Sequence, residues 1–218
     1  MWWKILVFLA MTGVIIASFI TPAPQQTIGE SSRVFYYHIP QAWVCVMAFA
    51  VSMIFSIRYL KGHRLEDDDR AVEAARLGFI FCVLAALTGS IFAKVTWGSF
   101  WNWDPRETSI FILLLIYGAY FALRGAVEIE VKRAALAAVY SIFAFLTVPF
   151  LIFVVPRIVP SLHPADSVID KNMKFTMGPT VRWIFFTSLG LFTILFFWMF
   201  NLGRRAAHML RVEMEGDE

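Results

Sequence analysis

The chain has 218 residues, of which 59% are hydrophobic and only 16% are charged, with a formal net charge of +3. Soluble domains contain about 45–50% apolar and about 25% charged residues. The composition therefore excludes a soluble globular protein and predicts an all-α membrane protein that crosses the bilayer several times, with lipid and no nucleic acid around it.

Six apolar stretches are long enough to cross a bilayer, which takes about 20 residues per helix. The spans are predicted at residues 2–20, 40–60, 77–95, 105–123, 134–156 and 181–202. Almost nothing remains for a soluble part, so residues 1–218 are predicted to form a single integral-membrane domain. The first stretch lacks a clean signal-peptide cleavage site, and we interpret it as a retained helix.

The charged stretch 61–76, between the second and third spans, is interpreted as a solvated connector whose ends can be helical, and not as a linker between domains. More of the 19 basic residues lie on the side that holds both termini than on the other side. Because cytoplasmic loops carry the excess of Lys and Arg, both termini are predicted to be cytoplasmic. The loops 21–39, 96–104 and 157–180 are then predicted to face outward.

The outward loop between the third and fourth spans holds the most distinctive segment of the chain. Residues 97–108 read Trp-Gly-Ser-Phe-Trp-Asn-Trp-Asp-Pro-Arg-Glu-Thr. Trp is enriched at membrane interfaces, so an aromatic belt is one interpretation. So many rings in a short loop also suit a flat hydrophobic ligand, and Trp97 and Trp101 would share a face if the loop were helical.

The end of this segment is predicted to start the fourth helix. Asp104 is placed to act as the N-cap, Pro105 as the first helical residue, and Glu107 as the partner that completes a capping box.

The four histidines fall into two classes. His38, at the edge of the second span, and His163, in the last outward loop, share the side of the Trp-rich segment. His63 and His208 lie among charges on the opposite side and are interpreted as solvated. One histidine at a membrane edge is unremarkable, but two flanking an aromatic platform indicate axial ligands for haem iron.

These motifs resemble a known family. Residues 97–108 resemble the WWD signature of the haem-handling membrane proteins of cytochrome c assembly, the CcmC/CcmF/CcsA family. Residues 35–43, Phe-Tyr-Tyr-His-Ile-Pro-Gln-Ala-Trp, resemble the first outer histidine motif of that family, and residues 161–164 resemble the second. From about residue 33 to the end of the sixth span, the chain looks most like the CcmC members, which act in the system I pathway.

The resemblance implies a haem chaperone in the bacterial inner membrane. It implies haem b bound at the outer face, with His38 and His163 as axial ligands of the iron. The implied platform consists of Trp97, Trp101 and Trp103, beside Phe100, which stands where the family often has a denser Trp run.

The resemblance also implies partners. Haem would be delivered to the periplasmic carrier CcmE, with the ATP-driven pair CcmA and CcmB and the small subunit CcmD assisting release of the loaded carrier. The chain contains no phosphate-binding loop, so any ATP-dependent step belongs to a partner, and the chain itself is not expected to be an enzyme.

Haem propionates would need basic partners near the water boundary. The candidates at span ends on the outward side are Arg33, Lys94, Arg106, Arg157 and Arg182. Arg33 and Arg157 are favoured because they flank the two histidine loops, with ordinary lipid-headgroup contacts as the alternative. Asp104 is a further candidate for contact with the ligand, and a pair between Asp104 and Arg106 is the other possibility.

Three alternative functions stay open. A subunit of a CcsA-type cytochrome c synthase is one, although the synthases carry further histidines within their spans and this chain has none in its predicted spans. A haem permease would need a polar path through the spans, which offer few polar residues. A membrane b-type cytochrome normally ligates haem from within helices, unlike the edge positions of His38 and His163.

Overall fold

The computed structural model describes residues 2–25, 27–163, 168–169, 172 and 174–216. Six of its helices are long and apolar enough to cross a membrane, which confirms the predicted all-α, six-span architecture. The elements in chain order are α1 (Trp2–Ile20), a 3-10 turn (Gly29–Val34), α2 (Phe35–Gly62), α3 (Leu65–Trp97), α4 (Pro105–Ala126), α5 (Glu130–Pro149), a π-helical turn (Phe150–Val154), α6 (Val155–Ile158) and α7 (Pro179–Gly216).

The α5 helix, the π-helical turn and α6 together make the fifth span. The described residues of the segments 21–34, 98–104 and 159–178 lie at one end of the bundle, which we call the histidine end. The loops 63–64 and 127–129 lie at the opposite end, with the first residues of α1 and the last of α7. That the histidine end faces outward stays a prediction from the charge distribution.

The α2 helix lies at the centre of the bundle and packs against α3, α5 and α7. Phe49 of α2 stacks on Tyr117 of α4, with ring centroids 3.5 Å apart. A side chain on Gly78 of α3 would place its Cβ 2.7 Å from the Phe49 ring, so only glycine allows this approach. The α1 helix packs on α7 and exposes apolar side chains over most of its surface, as a lipid-facing helix does.

The charged stretch 61–76 is helical at both ends, because α2 ends at Gly62 and α3 begins at Leu65, and the prediction that it is solvated is wrong for part of it. Within this stretch Asp67, Asp68 and Glu73 are buried. The buried carboxylates are paired with arginines of the same stretch and of neighbouring helices. Lys61, Arg64, Glu66 and Arg76 are exposed, so these charges of the stretch are solvated.

Three consecutive aspartates make these ion pairs. Asp68 accepts two hydrogen bonds from Arg124 of α4, at 2.7 and 2.8 Å. Asp69 binds Arg211 of α7 at 2.7 Å. The arginines around Asp67 are Arg58, Arg64 and Arg70. Burying a carboxylate is tolerated only when it is paired and hydrogen-bonded, and these pairs tie the start of α3 to α2, α4 and α7.

A proline near the start of α2 is accommodated by a bond from another helix. Pro40 has no N–H to donate to the carbonyl of Tyr36, four residues earlier. The hydroxyl of Ser188 in α7 donates to that carbonyl instead, at 2.6 Å. In a membrane, backbone groups must find partners inside the protein. The bond therefore fixes the first turns of α2, which contain His38, against α7.

Candidate functional site

One cavity at the histidine end is lined by both His38 and His163. Arg106, at the start of α4, lines the same cavity. Apolar side chains make up much of the remaining wall, namely Val34, Phe35, Ile39, Phe92, Met177 and Val181. The two histidines are 125 positions apart in the sequence, and the fold brings them to one largely apolar cavity. The charged group among the described residues that line it is the Arg106 guanidinium.

His38 lies in the first turn of α2, and its ring orientation is set by α3. Its Nδ1 is 2.9 Å from the hydroxyl of Thr88. Thr88 donates its own hydrogen to the carbonyl of Leu84 at 2.7 Å, so it accepts from His38. The proton of the imidazole therefore sits on Nδ1, and Nε2 carries a lone pair that is available to a ligand.

The neighbouring residue in α3 leaves room for this ring. Gly89 faces His38, and a Cβ at that position would lie 3.0 Å from Cε1 of the imidazole. That separation is shorter than an ordinary van der Waals contact between carbons. Glycine at position 89 therefore lets the histidine lie close against the α3 backbone.

His163 is held by a buried carboxylate. Its Nδ1 is 2.9 Å from Oδ1 of Asp104, whose side chain is 0% exposed. An ionised carboxylate can only accept, so His163 also carries its proton on Nδ1 and leaves Nε2 free. The other oxygen of Asp104 accepts hydrogen bonds from the Ser161 hydroxyl at 2.8 Å and from the Leu162 amide at 2.7 Å.

The charge states of this pair follow from its surroundings. Burial by itself would raise the pKa of Asp104, but hydrogen bonds from the Arg106 amide, the Ser161 hydroxyl and the Leu162 amide hold it below its usual value. Burial lowers the pKa of His163 below its usual value, although Asp104 acts in the opposite direction. Near neutral pH the site therefore contains an aspartate anion and a neutral imidazole.

Asp104 also caps α4, which confirms the prediction from the sequence. Oδ1 of Asp104 accepts from the Arg106 amide at 2.9 Å, and Glu107 accepts from the backbone of Asp104 in a capping box. Glu107 accepts a second bond from the Asn102 amide at 2.7 Å. The Asp104 carboxylate thus both starts α4 and orients His163. The sequence predicted only the first of these roles.

The Trp-rich segment divides into two parts. Trp97 is the last residue of α3, and its ring lies 4.6 Å from the His163 ring and packs on Phe92. Gly98 then ends the helix with φ of 83°. Trp101 is therefore not on the helix and does not share a face with Trp97, because the loop after Gly98 is not helical.

Among the described residues that line the cavity, none is an aromatic residue of this segment, Trp97 included. Trp101 and Trp103 pack edge-to-face on each other and on Phe111 of α4, and Trp103 is 69% exposed. Phe100 is also exposed, with the ammonium group of Lys94 above its ring. Of the four aromatic residues predicted as a platform, the structure brings Trp97 to the histidines.

The favoured arginines are engaged elsewhere. Arg33 donates to Glu30 at 2.6 Å and to the carbonyls of Ser18 and Thr21, which staples the first loop to the end of α1. Arg157 donates to the Phe153 carbonyl at 2.6 Å. Arg106, which the sequence offered as a candidate without favouring it, is the arginine that lines the cavity.

Two imidazoles facing one chamber limit the chemistry of the site. In the part of the chain that the structure describes, no three His, Cys, Asp or Glu side chains converge to hold a metal ion. A bare metal ion in a structural site usually takes four protein ligands. Two free Nε2 atoms instead suit a metal whose other ligands come from a macrocycle, as in haem.

Comparisons with known proteins found a matching family model and several relatives. The family model described as CcmC, heme exporter protein C, matches residues 1–217. Heme exporter protein C of Bradyrhizobium diazoefficiens is 34% identical over 125 residues, which are 57% of this chain and 48% of that protein. The chain thus spans about half the length of that relative.

Two further relatives differ in name. A putative cytochrome c biosynthesis ccmC-like mitochondrial protein of Marchantia polymorpha is 26% identical over 191 residues, covering 87% of this chain and 80% of that protein. The cytochrome c biogenesis protein CcsA of Manihot esculenta is 35% identical over 89 residues, covering 40% of this chain and 28% of that protein.

Proposed function

Because the chain belongs to the CcmC family, described as heme exporter protein C, we propose that it handles haem during the maturation of c-type cytochromes. It binds haem b at the histidine end, on the outer face of the bacterial inner membrane, and passes it to the periplasmic carrier CcmE. CcmA, CcmB and CcmD are the partners that supply ATP-dependent release of the loaded carrier. The chain acts as a haem carrier and not as an enzyme.

The observation that carries this proposal is the matched state of the two histidines. Both rings line one cavity, both have Nδ1 occupied by an acceptor, and both keep Nε2 for a ligand. Histidines that bind metals almost always donate their other ring N–H in this way. When haem is bound, its iron would take His38 and His163 as axial ligands.

Other residues of the cavity fit the same ligand. The apolar wall suits the porphyrin, and the guanidinium of Arg106 supplies the cation that a propionate needs. Trp97 is not among the residues that line the cavity, but its ring lies beside His163. Roles for Arg33 and Arg157 toward propionates stay predictions from the sequence, since their guanidinium groups bind other partners.

Absorption spectroscopy of the purified protein tests the ligand assignment. We expect substoichiometric haem with a six-coordinate, bis-histidine spectrum, which the double substitution His38→Ala and His163→Ala removes. His208→Ala, at the opposite end of the bundle, is the matched control and keeps the spectrum. An unchanged spectrum in the double variant would refute the two axial ligands.

The aromatic platform is tested separately. Trp97→Ala removes a ring that touches His163 and should lower haem loading without lowering protein abundance. Trp103→Ala removes an exposed ring outside the cavity wall, and its loading reports whether this ring reaches haem at all. Equal loss of haem and protein in both variants would favour the membrane-anchor interpretation.

A subunit of a CcsA-type synthase is the second candidate, favoured by the similarity to the Manihot CcsA protein. Crosslinking followed by capture separates the two functions. Capture of a haem-carrying periplasmic carrier supports the chaperone, whereas capture of a reduced apocytochrome supports the synthase.

A further inference from the structure

The two histidines of the site are held by acceptors of different charge. Asp104 is a buried anion that accepts from His163, and Thr88 is a neutral hydroxyl that accepts from His38. Both bonds measure 2.9 Å, so the difference lies in charge and not in length. A carboxylate acceptor draws the Nδ1 proton away more strongly than a hydroxyl does.

We propose that Asp104 and Thr88 are positioning residues that hold both imidazoles in the Nδ1–H tautomer, and that Asp104 makes His163 the stronger of the two metal donors. The first part of the proposal, the assignment of the tautomers, depends only on the geometry of the protein without haem. The donor-strength half rests on the proposed function, because it needs a bound haem.

The surroundings of Asp104 keep it an acceptor toward His163. Three backbone or hydroxyl donors, from Arg106, Ser161 and Leu162, converge on its two oxygens. These bonds fix the position of the carboxylate, so it stays oriented toward the imidazole. His163 lies outside the helices, after α6, and the Asp104 carboxylate binds it together with Ser161 and Leu162.

Thr88 fixes His38 by a different route. Its single hydrogen is used within α3, on the carbonyl of Leu84, which leaves only lone pairs for His38. Gly89, one residue later, lets the ring lie close to the helix. The resulting ligand is rigid, but its acceptor carries no charge, so Nε2 of His38 is the less basic of the two.

The tautomers are measurable without haem. The chain has only four histidines, so 15N-histidine labelling of the apoprotein in micelles at mildly alkaline pH gives few resonances. We expect two histidines with the 15N shifts of the Nδ1–H tautomer. Thr88→Val, a substitution of nearly equal shape, moves one of them toward the Nε2–H tautomer, and Asp104→Ser moves the other.

Serine is chosen at position 104 because it is also a good N-cap but is too short to reach His163. Glu107→Gln is the matched control, since it alters the same capping box and leaves the bond to His163 in place. If the wild-type protein does not show two histidines with Nδ1–H shifts, the tautomer assignment is wrong. If Asp104→Ser and Thr88→Val keep the wild-type shifts, these two residues do not hold the tautomers.

Haem binding tests the donor strengths. Residues that orient metal ligands typically contribute about 10–100-fold to affinity, and we expect Asp104→Ser to weaken haem binding within this range. We also expect it to raise the reduction potential of the bound haem more than Thr88→Val does, because removing an anionic acceptor disfavours the ferric state. Glu107→Gln should change neither quantity.

The outcomes separate the two proposals. Equal shifts of potential in Asp104→Ser and Thr88→Val would overturn the difference in donor strength, and a loss of affinity in Glu107→Gln as large as in Asp104→Ser would reduce Asp104 to a helix cap. A wild-type protein that binds no haem would refute the proposed function and the donor-strength half together. The 15N shifts would still decide the tautomers.

Discussion

Removing Asp68 should destabilise the protein strongly, because the substitution leaves a buried arginine without its counter-ion. Arg124 is 13% exposed and Asp68 is 3% exposed, with two hydrogen bonds between them. At about 2.7 Å and an effective dielectric constant of about 20, the attraction is about 6 kcal/mol. Dehydration of both groups offsets part of it, and breaking such a pair from one side costs about 3–5 kcal/mol.

We therefore expect Asp68→Asn to lower the free energy of unfolding by about 3–5 kcal/mol, measured by SDS titration in mixed micelles with circular dichroism. The matched control is Glu66→Gln at the exposed pair with Arg70, where the N–O distance is 3.4 Å, and it should cost about 0–1 kcal/mol. The double substitution Asp68→Leu with Arg124→Met should recover most of the loss, since it removes both charges.

If Asp68→Asn costs no more than Glu66→Gln, the pair between Asp68 and Arg124 does not stabilise the protein as a buried ion pair. That result would mean that water reaches the start of α3 and that the charged stretch is solvated after all. A double variant as unstable as Asp68→Asn would instead mean that packing around these side chains, and not the uncompensated charge, determines the loss.

Three further substitutions test the site and its supports. Gly89→Ala should weaken haem binding about tenfold, because the added methyl group displaces the His38 ring. The free energy of unfolding should stay level or rise by up to about 1 kcal/mol, because alanine favours the helix more than glycine does. A loss of stability without a loss of haem binding would contradict this prediction. Ser188→Ala should cost about 1–3 kcal/mol in SDS titration, because it leaves the Tyr36 carbonyl without a partner, and no measurable cost would show that the carbonyl finds another donor. Arg106→Gln should weaken binding of haem but not of its dimethyl ester in a titration followed by absorbance, and equal losses for both ligands would exclude a propionate contact.

Sequence patterns predicted the features that depend on neighbours along the chain. The cap of α4 at Asp104 follows from residue types within four positions, and the helices follow from runs of apolar residues. The role of Thr88 toward His38 depends on which helices touch, and no local pattern reports that. The signal available was a pair of hydroxyl side chains, Thr88 and Ser90, on either side of Gly89 in an otherwise apolar span.

The predictions that were wrong also concern contacts between residues that are distant in the sequence. A run of charges predicts exposure when each side chain is considered alone, but Asp68 is buried because Arg124, 56 positions later, lies opposite it. The rings of the Trp-rich segment were predicted to form one platform because they are close in sequence. Gly98 turns the chain, and Trp97 and Trp103 then belong to different surfaces.

The double use of Asp104 constrains how this protein can vary. A substitution at position 104 changes the start of a helix and the support of a loop 57 to 59 positions away, so its effects combine non-additively with substitutions at Ser161. Epistasis of this kind makes single steps deleterious where paired changes are tolerated. We expect positions 104 and 161 to covary among homologues, and a deep mutational scan to show loss of abundance and loss of function at position 104 together.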